Sequence, residues 1–281
     1  AVVHYESFDI AMPETVRFIQ PDATAAILNR VWGDKASEIA GALLANGNVY
    51  LVNPNGILFT PSATISVASL FASALDINDA DFLAGKALFA GGNGAVINQG
   101  AISAAERVWL FGGSVDNSGS ISAPEVTICA AQFSVEIDNA GGGAIRLIVD
   151  GAPPAPPAAQ PQTGQDQIVG AADASDQTEQ PDQSDPNDPP AGQTPDSPAP
   201  VDLAGTVINS GIVSASGENG GTITLLGEQV GQFGSVRADG ASGGGGIVTI
   251  QAEDTVALGE SSITTANAGA DEARHRNRRR R

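Results

Sequence analysis

The sequence predicts an all-β chain wound as a parallel β-helix, and three observations carry that reading. The phrase Val96-x-Asn98-x-Gly100-x-Ile102-x-Ala104 returns 19 residues later as Val115-x-Asn117-x-Gly119-x-Ile121-x-Ala123, then again as Val207-x-Asn209-x-Gly211-x-Val213-x-Ala215. Self-similarity at a fixed period marks a solenoid. Between these phrases Val108-x-Leu110, Val126-x-Ile128, Ile223-x-Leu225 and Val248-x-Ile250 alternate with the period of a strand. Each is followed within five to seven residues by Val115, Val135, Val230 or Val256, so a coil carries two or three short strands. Finally, the 281 residues are 42% hydrophobic but only 5% aromatic, with 34 glycines, so the interior is built from Val, Ile, Leu and Ala between many turns.

Composition also excludes. Acidic residues outnumber basic ones 32 to 13, and the net charge of -19 repels a phosphate backbone, leaving partners that are neutral, basic or recognised by shape. Cys129 is the sole cysteine, which rules out an internal disulfide and a thiolate zinc site. His4 and His275 stand far apart and leave little for imidazole catalysis. No apolar stretch reaches the ~18 residues that span a bilayer. The chain starts at Ala1 without an initiator Met or secretory segment, and is expected to be processed or a fragment.

Near the start, residues 36–46 place Ile39 and Leu43 one helical turn apart, but Ile39, Gly41, Leu43 and Ala45 also alternate. Gly41 weakens a helix and Asn46-Gly47 supplies a turn, so strand is preferred before the clear strand Val49 to Val52. Asn53-Pro54-Asn55-Gly56-Ile57 follows: Pro54 presets φ for a turn, Asn55 tolerates its second central position, and Gly56 takes a left-handed conformation. Asp76, Asp79 and Asp81, with Asn78 among them and no histidine nearby, form the acidic cluster of the folded part and read as a solvated turn. Asn98, Asn117 and Asn209 recur at one repeat position, where they either stack as an internal amide ladder or each shape a turn.

Composition then divides the chain. Residues 151–202 hold 12 of the 17 prolines and nine acidic residues with no Lys or Arg, and are expected to be a disordered acidic linker interrupting one array. A calcium site at Asp185, Asn187 and Asp188 lacks a fixed loop to hold it. Residues 1–150 form the first β-helical domain, 203–268 further coils, and 269–281 a basic disordered tail. Outside the linker about 230 residues make roughly ten coils. The tail supplies six of the 13 basic residues and reads as a truncation or reading-frame product rather than a nucleic-acid or membrane element.

In context, Asn53-Pro54-Asn55-Gly56-Ile57 resembles the NPNGI signature of the two-partner secretion domain of filamentous-haemagglutinin-like exoproteins. The likeness extends through Ser7 to Ile10, Val16 to Phe18, Gln20-Pro21, Leu28 to Val31, Ser37 to Gly41, Ala45 to Leu51, Ala63 to Ile77, Asp81 to Gly85 and the Val-x-Asn-x-Gly-x-Ile-x-Ala coils. That resemblance implies a right-handed parallel β-helix with extra-helical hairpins. It implies export across the outer membrane of a diderm bacterium, via the periplasm, by a cognate β-barrel transporter whose periplasmic polypeptide-transport-associated domains recognise the secretion domain. It casts Asn53, Pro54, Asn55, Gly56 and Ile57 as a folding and transporter-recognition element, against the alternative that they only shape a turn. Family members cover the amino end with a first pair of strands that this chain lacks, so its first coil, Val2 to Phe18, is expected to fray and the chain to associate end to end.

The expected function is that of a secreted, non-enzymatic adhesin that attaches to surfaces, with no cofactor and an unknown receptor. Two rivals are a β-helical polysaccharide lyase or hydrolase, and the amino part of a contact-dependent toxin whose effector domain is absent. The enzyme needs carboxylates clustered with Arg, Lys or His on one face. Nucleotide, zinc-protease and calcium nonapeptide motifs are missing; Gly91 to Gly94 comes nearest to the last but has Val96 where Asp belongs.

Overall fold

The computed structural model describes residues 1–131, 134–138, 144–148, 205–215 and 217–269. The linker and all but Gly269 of the basic tail lie outside them.

Alternation at period two, interrupted by stacked turns, winds the chain into a parallel β-helix with three strand columns. One column runs through Val2–Tyr5, Ala26–Val31, Asn48–Val52, the second half of Thr64–Ser73, the second half of Ala101–Gly112, Glu125–Ala130, and the first halves of Thr222–Gln232 and Ile247–Leu258. A second passes through Ile10, Ser37–Ile39, Ile57–Phe59, Ala95–Asn98, Ser114–Asn117, Thr206–Asn209 and the later halves of those last two strands. Thr15–Phe18, Ala42–Ala45, the opening residues of Thr64–Ser73 and Ala101–Gly112, Ser120–Ser122, Ile212–Ser214, Ser235–Arg237 and Ile263–Thr265 build the third. Among the described residues this makes eight stacked levels rather than the expected ten, because residues 76–90, 134–138 and 144–148 lie outside the helix.

Residues 36–46 form two strands, Ser37–Ile39 and Ala42–Ala45, so alternation prevails over the helical spacing. The sequence phrases lie in strict register: Val96 pairs with Val115 and Val115 with Val207. Val96, Ile102, Val108, Leu110, Val115 and Ile121 all belong to one buried core. The repeat glycines are fixed by close approach, since a Cβ at Gly119 would overlap the carbonyl oxygen of Gly100, and one at Gly211 that of Gly119. The first coil is formed rather than frayed. Val2–Tyr5 pairs over four residues with Leu28 to Val31, and Thr15–Phe18 with Ala42 to Ala45.

Val135 departs from its expected place. It lies on Ser134–Asp138, which joins Asp76–Ile77, Ala87–Ala90 and Ala144–Ile148 in a four-stranded sheet whose pairings are antiparallel, the extra-helical element of the fold. This sheet contributes Ile77 and Phe89 to a second apolar cluster, separate from the interior, whose other members include Leu28, Val52, Phe71, Leu75, Trp109, Phe111 and Cys129. Tyr50, Phe71 and Trp109 stand in register on successive coils, with the Tyr50 and Phe71 rings stacked at 4.0 Å and the Phe71 and Trp109 rings edge to face at 4.8 Å. A strand buried on both faces reads as a nearly continuous apolar run, which is how Val108 to Phe111 reads.

Candidate functional site

Among the described residues, polar side chains are bonded into the fold in three places: the turn after Val52, a charged network, and a ladder of buried amides.

The turn closes through Gly56 N–H donating to the Asn53 carbonyl at 2.9 Å, with Gly56 at φ +118, where a side chain is strained. Asn53 is fully buried. Its Oδ1 accepts from Asn55 N–H at 3.0 Å, and its Nδ2 donates to the Lys35 carbonyl at 2.9 Å and to Ser37 Oγ at 3.0 Å. Asn55 is exposed and its Nδ2 donates to the Gly33 carbonyl at 2.7 Å. Ser37 N–H donates to the Gly56 carbonyl, Asn53 N–H to that of Ser73 and Gly94 N–H to that of Pro54. The motif thus ties the loop of the preceding coil to two later segments. Asn53, Gly56 and Ile57 are buried, Pro54 is half-buried, and Asn55 alone of the five is exposed.

Next to this loop the solvated acidic turn expected at Asp76 to Asp81 is instead a charged network, and a histidine belongs to it. Arg30 grips Asp76 with two bonds, Nε to Oδ1 at 2.9 Å and NH2 to Oδ2 at 2.6 Å, and reaches Asp79 Oδ1 at 3.0 Å through NH1. His4 Nε2 lies 2.8 Å from Asp79 Oδ2. Partial burial works against the Arg30 charge, but its bonds and proximity to Asp76 and Asp79 outweigh this and raise its pKa. Asn78 caps the short helix Asp79–Leu83 by accepting from Ala80 N–H, and Asp81 faces Lys86 at 3.5 Å. His4 also stacks on Trp32 at 4.1 Å, over which Arg30 lies at 5.7 Å, and Trp32 remains 61% exposed. Local spacing hides this cluster: His4 and Arg30 become neighbours only when their strands pair. The His4–Asp79 contact also ties the first strand to the short helix.

Asn98, Asn117 and Asn209 are fully buried and linked head to tail. Asn98 Nδ2 donates to Asn117 Oδ1 at 2.7 Å and Asn117 Nδ2 to Asn209 Oδ1 at 2.7 Å. Asn209 Nδ2 continues to Gln232 Oε1 at 2.6 Å, and Gln232 Nε2 donates to the Gly234 carbonyl at 3.1 Å. Asn98 serves its turn as well, accepting from Gly100 N–H at 3.2 Å. Gln232 was the member that sequence reasoning missed. Its signal is Val230-x-Gln232-x-Gly234, the repeat phrase with one methylene added. Cys129 is buried against the aromatic cluster, and burial pushes its thiol pKa up to about 12, so it stays protonated and unreactive at neutral pH.

Residues 1–169 match the family model of the TPS secretion domain. A heme/hemopexin-binding protein of Haemophilus influenzae (strain ATCC 51907 / DSM 11121 / KW20 / Rd) is 43% identical over 139 residues, covering 43% of this chain and 14% of that protein. Another heme/hemopexin-binding protein of Haemophilus influenzae is 48% identical over 77 residues, 27% of this chain and 8% of its own length. The chain therefore spans 14% or less of these curated relatives. Among solved structures, the HMW1 secretion domain from Haemophilus influenzae superposes with a TM-score of 0.54 at 18% identity, covering 95% of this chain and 77% of that one, and shares the fold. A filamentous hemagglutinin secretion domain gives a TM-score of 0.35 at 16% identity, over 95% and 88% of the two chains.

Proposed function

Because the chain belongs to the TPS secretion domain family, we propose that it directs export of a non-enzymatic adhesin, delivered via the periplasm to the surface of a diderm bacterium by a cognate outer-membrane β-barrel transporter. Periplasmic polypeptide-transport-associated domains of that transporter make the first contact. The observation that carries this reading is the division of labour within the turn. Asn53, Gly56 and Ile57 are buried and serve folding, whereas Asn55 and half-buried Pro54 face outward and are open to a partner. Asn55 is bonded to the loop that carries exposed Trp32, and an exposed tryptophan fixed by stacking suits an interface anchor. The recognition surface is then Trp32, Pro54 and Asn55, scaffolded by Asn53.

The physical logic of export agrees. A chain with one buried cysteine forms no internal disulfide to obstruct threading, and coils that contact only their neighbours form one after another as they emerge. Heme or hemopexin binding is said of the relatives, and surface attachment is the role proposed here. The test is co-expression, behind a secretory leader, with and without a cognate outer-membrane transporter. Release only with the transporter is expected; equal release without it overturns the proposal.

A further inference from the structure

Away from the signature turn, an open cleft of about 730 Å³ lies across successive coils and includes Glu106, Arg107, Glu125, Asn219, Thr222 and Ile247. Four of these stand in one register line: Arg107 pairs with Glu125, Glu125 with Thr222, and Thr222 with Ile247. Adjacent strands are separated by ~4.8 Å, so the line extends about 14 Å along the stacking direction. Gly220, Gly221, Gly245 and Gly246 complete the lining with bare backbone, which packs too closely on neighbouring coils to admit a Cβ: one at Gly221 or Gly246 would overlap the carbonyl oxygen of Pro124 or Gly221.

The polar groups in this cleft are held but not consumed. Arg107 lies over the Trp109 ring at 5.5 Å and, among the described residues, forms no ion pair. Glu125 Oε1 accepts from Trp109 Nε1 at 3.0 Å, so one buried indole positions both charges. Glu106 accepts a long bond from Ser69 at 3.4 Å. The resulting surface offers guanidinium donors and carboxylate acceptors side by side, in the line of the register.

We propose that this cleft binds a linear oligosaccharide without anionic groups, laid along the stacking direction. An extended peptide is a poorer fit, because it recognises a sheet by adding to an unpaired edge, and Ala101–Gly112, Glu125–Ala130 and Thr222–Gln232 are paired on both sides. Polyanions, nucleic acid included, meet two carboxylates in the cleft and a net charge of -19 on the chain. A sugar polymer has hydroxyls that both donate and accept, which suits a single guanidinium, Arg107, beside two carboxylates, Glu106 and Glu125. The proposal concerns binding alone and is independent of the export reading, since none of these residues belongs to the signature turn.

The test is isothermal titration of the purified full chain with chitohexaose and with cellohexaose, using a heparin hexasaccharide as the anionic control. Saturable binding of at least one neutral hexasaccharide is expected, weakened about tenfold by Glu125→Gln or Arg107→Met. Thr222→Trp fills the cleft from an exposed position and should abolish binding with the thermal midpoint unchanged, which keeps the test decisive where an Arg107 variant folds poorly. Absence of binding to both neutral sugars at millimolar concentration overturns the proposal. So does binding that survives Thr222→Trp and Glu125→Gln, or a preference for heparin.

Discussion

Asn117 and Asn209 lie 92 residues apart in the chain, yet Asn117 Nδ2 donates to Asn209 Oδ1 at 2.7 Å in the protein interior. Their strands pair over four consecutive residues, from Ser114 with Thr206 to Asn117 with Asn209. The array, left after Glu125–Ala130, therefore resumes in register at Thr206–Asn209, directly on the level of Ser114–Asn117.

Deleting residues 155–198 should accordingly leave the fold intact. Retained chain is ample to connect the two sides, and shortening a loop changes its closure entropy only slowly. The expected shift in thermal midpoint is within about 2 °C, on the scale of a fraction of a kcal/mol for a domain of this size. A loss of many degrees would show that the segment contributes packing.

Breaking the amide ladder in the middle should be costly. Asn117→Ala leaves the Asn98 donor and the Asn209 acceptor without partners in the core, and each orphaned group costs about 1–3 kcal/mol. Denaturant unfolding should report a loss of about 2–4 kcal/mol. A loss below about 0.5 kcal/mol would mean that the ladder adds nothing net.

Much of this was legible in the sequence because a solenoid writes its contacts at a constant offset. Val96, Val115 and Val207 are neighbours in space for the same reason that they are similar in the text. What was hidden has no such offset. Arg30 meets Asp76 and Asp79 across 46 and 49 residues, and His4 joins them from the first coil, so the acidic cluster looked solvated and histidine-free. Glu106, Arg107 and Glu125 carry no motif either, because they join one cleft only when their coils stack. Val135 fits the repeat in spacing but is drawn into the antiparallel sheet with Phe89.

Gly56→Val should cost about 2 kcal/mol, since Gly56 has φ +118 and its new Cβ would lie 2.9 Å from the Ala95 carbonyl oxygen. Thermal unfolding checks this. An unchanged midpoint would mean that the turn relaxes without strain.

Asp116 offers a pH test. It occupies the repeat position of Ile97 and Ile208, and its Oδ1 is buried without a hydrogen-bond partner. Burial raises its pKa above the ordinary carboxylate value. With the folded pKa raised, the native state binds the proton more tightly than the unfolded chain. The penalty is then absent below the unfolded value, grows as pH rises from the unfolded to the folded pKa, and is complete above the folded pKa. Asp116→Ile should stabilise the protein at pH 7 by on the order of 1 kcal/mol and remove that part of the pH slope. Equal gains at low and neutral pH would contradict the assignment.

In the proposed export route the signature turn couples a folding element, Asn53, to an outward surface at Asn55 and Trp32 for the transporter to read. The most direct test measures export rate and thermal midpoint together for three variants in the presence of the cognate transporter. Asn53→Ala should lower the midpoint and export alike, because it removes buried bonds worth about 2–4 kcal/mol. Asn55→Ala and Trp32→Ala should leave the midpoint within about 4 °C while export falls several-fold. Secretion of both surface variants at the wild-type rate would contradict the account.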